Sequence, residues 1–291
     1  MSAIQAKPLQ ELLNRPLIFM SGKGGVGKTA LSESLALAFS KDQKKTLWVT
    51  FEDPHFPLGD LQQRGNDWYH LNCDGHRSFE EYIELKIKIP SLAKVFLRNR
   101  AVEFLSRTAP GVHELVLLGK VWSLIDDYDR IVCDMPSTGY GLAMFQSVQN
   151  FSSLFQSGAV RKDADAMVET LSDPTQTGNV VIGLPEEMPL QEGIELGEYY
   201  QKLFPENHSA FLVNRCYPVV ELSSVDQDPE SWEQPLSASM QEYLAKRSVR
   251  EKQNLRLWED YHLSYSKIEE IPHEGEVQLL DALSEQFKEF I

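Results

Sequence analysis

The sequence predicts an α/β fold, a mostly parallel sheet covered by helices on both faces, and three observations predict it. Apolar runs of strand length at 17–20, 46–51, 130–133, 179–184 and 210–213 are continuous rather than alternating, as strands buried on both faces are. Between them lie longer stretches with apolar residues at helical spacing, so strand and helix alternate from end to end. A glycine-rich segment, residues 21–29, joins the first run to the first helix. With 291 residues and 42% hydrophobic content, the chain has ample material for one large domain, read here as residues 1–291.

The first unit is strand (17–20), loop (21–29) and helix (30–39), and its loop carries the strongest motif. Gly22-Lys23-Gly24-Gly25-Val26-Gly27-Lys28-Thr29 matches G-x-x-x-x-G-K-T in the strand-to-helix context that makes the pattern specific. Glycines let the backbone N–H groups point inward as an anion nest, and the helix that follows adds its positive N-terminal end. The expected nucleotide-binding residues are therefore Gly24, Gly25, Val26, Gly27, Lys28, Thr29 and Ala30, which makes this a phosphate-loop (P-loop) NTPase fold. Lys28 is expected on the β- and γ-phosphates, and the Thr29 hydroxyl on Mg²⁺, which prefers oxygen ligands.

Farther on, 41–45 reads as a charged loop and 46–51 as a buried strand ending at Glu52-Asp53-Pro54. Asp53 lies at the strand edge where ligands bind in open α/β sheets, placed to orient or deprotonate the attacking water. The other reading of Asp53 is a helix cap or turn former ahead of Pro54. Residues 68–74 read as a strand, and 78–106 as amphipathic helices interrupted at Pro90. Lys86, Lys88, Lys94, Arg98, Arg100 and Arg107 make that region basic, either as a solvated face or as a binding surface. The run at 130–134 ends in Asp134, the expected second carboxylate, holding Mg²⁺ through water. Helical spacing returns at 145–171, strands at 179–184 and 210–215, and an acidic loop at 221–235. Asn214 ends its strand with an amide suited to an adenine edge, or to a strand-end turn. Residues 236–262 read as helix, 267–271 as the last strand and 277–290 as a closing helix.

Lys23 narrows the class. With it the loop reads Lys-Gly-Gly-Val-Gly-Lys-Thr, and the chain resembles the arsenical-pump and tail-anchored-protein-targeting ATPase family, relatives of the septum-site and plasmid-partition ATPases. Asp53-Pro54-His55-Phe56-Pro57-Leu58-Gly59-Asp60 is similar to the family's first switch, with Phe56 at the family's histidine position and His55 one residue earlier. Ala109 to Leu115 resembles a signature entering the next helix. Met135-Pro136-Ser137-Thr138-Gly139-Tyr140-Gly141-Leu142 resembles the second switch, one residue longer and with Tyr140 replacing a histidine. Pro185-Glu186-Glu187 and the loop at Pro272 match further segments, and the resemblance implies that Asn214 and Pro272 border adenine. It also implies catalytic roles for Lys23, Lys28 and Asp53, and Mg²⁺ held through Thr29, Asp53 and Asp134. Lys23 would reach the phosphates bound by a partner subunit, or else be a solvated loop cation. A helical subdomain from about 76–120 and 145–175, inserted in the same domain, would handle clients.

Composition sets bounds. A net charge of −15 argues against a general affinity for nucleic acid. Cys73, Cys133 and Cys216 are isolated, which indicates neither disulfides nor a zinc knuckle and fits a reducing cytoplasm; no zinc-binding cysteine pair or metalloid-binding thiol set is apparent. The segment before Leu17 reads as polar, and no apolar run is long enough to span a bilayer. The expectation is a cytoplasmic ATPase using ATP and Mg²⁺ in a face-to-face homodimer, or a heterodimer with a paralogue, whose nucleotide state controls a surface for a protein client or membrane-protein partner. The alternative is a nucleotide-gated interaction protein with little hydrolysis, to which the altered positions Phe56 and Tyr140 point.

Overall fold

The computed structural model describes residues 4–99, 111–154, 158–217, 238–271 and 275–291. Within them the continuous apolar runs are strands: β1 (Leu17–Gly22), β2 (Thr46–Phe51), β3 (Leu61–Gly65), β4 (Trp68–Cys73), β5 (Arg130–Asp134), β6 (Thr177–Gly183), β7 (Ala210–Cys216) and β8 (Tyr265–Glu269). They form one sheet in the order β3-β4-β2-β5-β1-β6-β7-β8, parallel throughout except for β3, which runs antiparallel to β4 at the edge. Every residue of β1, β2 and β6 is buried, the burial on both faces that their unbroken apolar runs predict.

Alternation along these strands divides the core between the two faces. Phe19, Val49, Cys133, Val181 and Phe211 face one side. There α5 (Val112–Trp122), α6 (Thr138–Leu154), α7 (Ala159–Ser172), α8 (Glu187–Leu203) and α9 (Ala238–Asp260) supply Leu117, Phe145, Met167, Ile194 and Trp258. Ile18, Met20, Trp48, Val132 and Leu212 face the other, under α1 (Leu9–Leu13), α2 (Lys28–Lys41) and α10 (Glu276–Phe287). The remaining helices, α3 (Gly75–Lys86) and α4 (Pro90–Leu97), are separated by the expected break, with Pro90 as the first helical residue of α4.

One sequence expectation changes, and two features of the structure are not anticipated by the sequence. The segment before Leu17 is not simply polar, because Leu9, Leu12 and Leu13 of α1 are buried against the sheet. The second switch-like segment runs directly into helix: α6 starts at Thr138, with the Tyr140 and Gly141 N–H groups donating to Ser137 O. The edge strand β3 carries Gln62, Gln63 and Arg64 and has no apolar alternation to betray it. Arg100, Arg107 and the segment from Ala109 to Pro110 lie outside the described residues, as does the whole of the acidic loop at 221–235. The three cysteines are buried free thiols, and burial pushes those of Cys73 and Cys216 up to about 12. No helix among the described residues is long and apolar enough to cross a membrane.

Candidate functional site

The described site candidates Lys23, Lys28, Thr29, Asp53, Asp134 and Asn214 sit at or just beyond the C-terminal ends of parallel strands, the edge at which open α/β sheets bind ligands. The phosphate loop leaves β1, Asp53 follows β2, Asp134 ends β5 and Asn214 lies near the end of β7. The central place of β1, between β5 and β6, puts the loop beside both.

Two glycines are dictated by close approach. A Cβ on Gly22 would lie 2.4 Å from the Ile182 carbonyl oxygen of the neighbouring strand, a contact that backbone cannot yield. Gly27 caps α2 with φ 90°, in the left-handed region, and a Cβ there would meet Asn214 Nδ2 at 2.5 Å. Gly24 and Gly25 are exposed at the mouth of the loop, Val26 is buried beneath it, and Ala30 lies in the first turn of α2.

The Lys28 ammonium donates to Lys23 O at 2.9 Å, closing the loop on itself. Burial lowers the Lys28 pKa while the charge of Asp134 raises it, an ammonium whose water has been partly replaced by a carboxylate. The Thr29 hydroxyl donates to Asp134 Oδ2 at 2.5 Å. Burial pushes Asp134 up to about 6, against the downward pull of the Thr29 hydroxyl and Lys28, and the carboxylates of Asp53 and Glu33 push it further. Its second oxygen, Oδ1, is buried without a hydrogen-bond partner. A carboxylate oxygen held dry and unpaired beside a hydroxyl fits Mg²⁺, since the donors gathered here are all hard oxygens. No group of three or more His, Cys, Asp or Glu among the described residues could hold a metal alone, so phosphate and water would complete the shell.

Asp53 makes the contact of a turn former and also lies near Asp134. Its Oδ1 accepts the His55 N–H at 2.8 Å, a turn-forming bond, while the half-buried carboxylate stays close enough to Asp134 to influence it. Phe56 turns inward, edge-on to Trp48 with ring centres 5.2 Å apart and to His70 at 4.7 Å, whereas His55 is exposed. Tyr140 packs against the core and burial pushes its phenol up to about 12. Asn214 is buried, with Nδ2 donating to Val26 O at 2.9 Å and Oδ1 accepting the Arg215 N–H at 2.9 Å. One amide hydrogen and one lone pair remain to it beyond those bonds. Pro272 lies outside the described residues. Lys23 does not point freely outward: its ammonium is 2.6 Å from Glu192 Oε1 on α8, beside a cavity of about 460 Å³ lined by Ser137, Thr138, Glu195 and Tyr199.

Sequence reasoning missed four participants. Glu33 on α2 is buried and pairs with Arg64 of β3 at 2.8 Å, and Glu192 holds Lys23. Glu52, at φ 49°, accepts the Gly75 N–H at 3.0 Å and meets His113 Nε2 at 2.9 Å, tying the start of this switch-like segment to α3 and α5. The fourth is Asn72, whose one visible signal is an amide within a buried strand.

Comparison with known proteins agrees with the geometry. A family model described as anion-transporting ATPase matches residues 15–164. ATPase BagA of Mycobacterium tuberculosis is 28% identical over 225 residues, 69% of this chain and 65% of the relative. ATPase ASNA1 homolog 2 of Paramecium tetraurelia is 31% identical over 165 residues, 52% of this chain and 49% of the relative. ATPase GET3 of Podospora anserina is 28% identical over 200 residues, 64% of this chain and 55% of the relative. The chain thus spans less than two-thirds of the length of each of these relatives.

Proposed function

The chain belongs to the anion-transporting ATPase family, and from that premise we propose that it binds and hydrolyses ATP with Mg²⁺, as a dimer whose nucleotide state controls a partner surface. The observation that carries this reading is the loop whose Thr29 hydroxyl donates to Asp134 at 2.5 Å while the Lys28 charge acts on the same carboxylate. In this reading the loop N–H groups and the N-terminus of α2 bind the phosphates. Lys28 exchanges its bond to Lys23 O for phosphate oxygens, where its charge is better matched. Thr29 would hold Mg²⁺ directly and Asp134 through water, with Asp53 near the ion; when bound, the metal supplies neutralisation of charge on the β- and γ-oxygens. Asp53 orients the attacking water, Asn214 offers its remaining amide groups to the base, and Pro272 would border the base as well. The helical regions of about 76–120 and 145–175 would form the partner-handling part of the same domain.

Cytoplasmic location fits the free buried thiols. The net charge of −15 argues for protein partners over nucleic acid. One observation favours the second reading, a nucleotide-gated binding protein with little hydrolysis: position 56 holds a phenyl ring packed on Trp48 and His70. Lys28→Ala tests the site common to both. It should weaken Mg²⁺-ATP binding by about tenfold or more, since charge-assisted phosphate contacts are worth about 1.5–3 kcal/mol, with circular dichroism unchanged. Unaltered affinity by calorimetry would remove the phosphate-loop assignment, and phosphate release by the wild type separates the two readings.

A further inference from the structure

We propose that Asn72 is a positioning residue for the reaction at this site, fixing the segment 53–59 and with it the Asp53 carboxylate. The proposal rests on the reading of Asp53 given above. Asn72 lies on β4, beside β2, with no solvent exposure. Its amide uses its full hydrogen-bonding capacity: Oδ1 accepts the Asp53 N–H and the Thr50 hydroxyl, both at 3.0 Å, and Nδ2 donates to Asp53 O at 2.9 Å and Phe56 O at 3.0 Å. Its backbone carbonyl also accepts the Gly59 N–H at 2.8 Å. Both ends of the segment are therefore fastened to this single residue.

The pattern fixes the orientation of the amide, because only Nδ2 can serve two carbonyl oxygens. The Thr50 hydroxyl then spends its proton on Oδ1, so His70 Nε2 must donate to Thr50 Oγ1, at 3.0 Å. His70 in turn is stacked on Trp48 with ring centres 4.3 Å apart. A buried chain, His70 to Thr50 to Asn72, thus sets the amide before any ligand arrives, and the amide sets both backbone groups of Asp53. Phosphoryl transfer depends on an oriented nucleophile, and a carboxylate whose backbone can drift by an ångström orients it poorly.

Asn72→Asp keeps the shape and the acceptor but removes both donors to the loop. Two measurements on the full chain test the role. Hydrogen exchange without nucleotide should quicken by about tenfold or more across 53–59, the loss of one to two buried hydrogen bonds, with β2 still protected. Turnover should fall by about tenfold or more while ATP affinity stays within about threefold, and adding Asn72→Asp to Asp53→Asn should cause no further fall, because the first acts through the second. Unchanged exchange in the folded variant overturns the proposal. So does an equal loss of turnover with and without the Asp53 carboxylate, the signature of a general structural role. If Asn72→Asp does not fold, Asn72→Ser, too short to span the loop, is put through the same measurements. A wild type that binds ATP without hydrolysing it would end the ATPase reading, and exchange alone would then decide whether Asn72 holds the segment.

Discussion

At the scale of single residues, charge is managed by pairing groups from different layers, and the Glu52–His113 pair shows how pH enters. The hydrogen bond to His113 is the main cause that lowers Glu52, and the bond to Glu52 is the main cause that raises His113. A histidine raised in the fold contributes its stability fully below the unfolded value of about 6.5 and loses it as pH rises through the folded value. A glutamate lowered in the fold contributes fully above its unfolded value of about 4.3 and loses it as pH falls through the folded one. The pair therefore works best between about pH 4.5 and 6.5. Its side chains are 37% and 36% exposed, so solvent screening holds its worth to roughly 0.2–1 kcal/mol. His113→Gln should cost up to about 1 kcal/mol at pH 5.5 and nearly nothing at pH 8.5. Urea denaturation of both proteins at the two pH values measures this, and a cost that grows with pH would assign His113 a different role. Gly75 makes the geometry possible, since a Cβ there would strike the His113 ring.

At the scale of elements, Trp258 pins α9 and α8 to the sheet. It has no solvent exposure, donates from Nε1 to Leu190 O at 2.7 Å, and crowds both Gly183 and Gly193 so closely that a Cβ on the latter would sit 2.8 Å from its ring. Trp258→Phe loses the hydrogen bond and leaves space between the helices, for a cost of about 1–3 kcal/mol in thermal or chemical unfolding. No change in stability would mean that the helices repack freely. The same elements show what could be read in advance. Strands β1, β2, β5, β6 and β7 were legible because burial on both faces leaves an unbroken apolar run, and the loop after β1 was legible because its glycines and Lys28 are adjacent in sequence. Strand β3 was hidden because an exposed edge tolerates Gln62, Gln63 and Arg64: the two glutamines pair with β4 in register, and Arg64 sits at a bulge with its guanidinium over the Trp68 ring. Helix α1 is only five residues, too short for a periodic signal. The hold of Asn72 on Asp53 and Phe56 spans 19 and 16 residues, and that of Glu192 on Lys23 spans 169, so no local pattern encodes either.

At the scale of the whole molecule, Lys23 decides how the proposed dimer would assemble. In the single chain its ammonium rests on Glu192, a pair whose side chains are 42% and 33% exposed. Pairs this open are worth at most about 1 kcal/mol, so the lysine is parked rather than locked, and a triphosphate across an interface offers it a denser negative charge in a drier setting. Two acidic chains also repel one another at a distance, which makes each cation delivered to the interface count. Lys23→Ala should therefore leave Mg²⁺-ATP affinity within about threefold while removing turnover and nucleotide-promoted dimerisation, because transition-state charge stabilisation from the partner is lost. Glu192→Gln should act in the opposite direction. By removing the competitor for Lys23 it should strengthen dimerisation by up to about fivefold with a nonhydrolysable ATP analogue and leave the nucleotide-free association unchanged, since a ligand shifts an equilibrium only by its differential affinity. Sedimentation velocity of the wild type and both variants, with and without the analogue, reads these shifts. If Lys23→Ala dimerises and hydrolyses ATP like the wild type, the lysine is a loop cation satisfied by Glu192 and a face-to-face dimer must be sought through other contacts; if only Glu192→Gln is silent, the lysine crosses the interface without Glu192 holding it back.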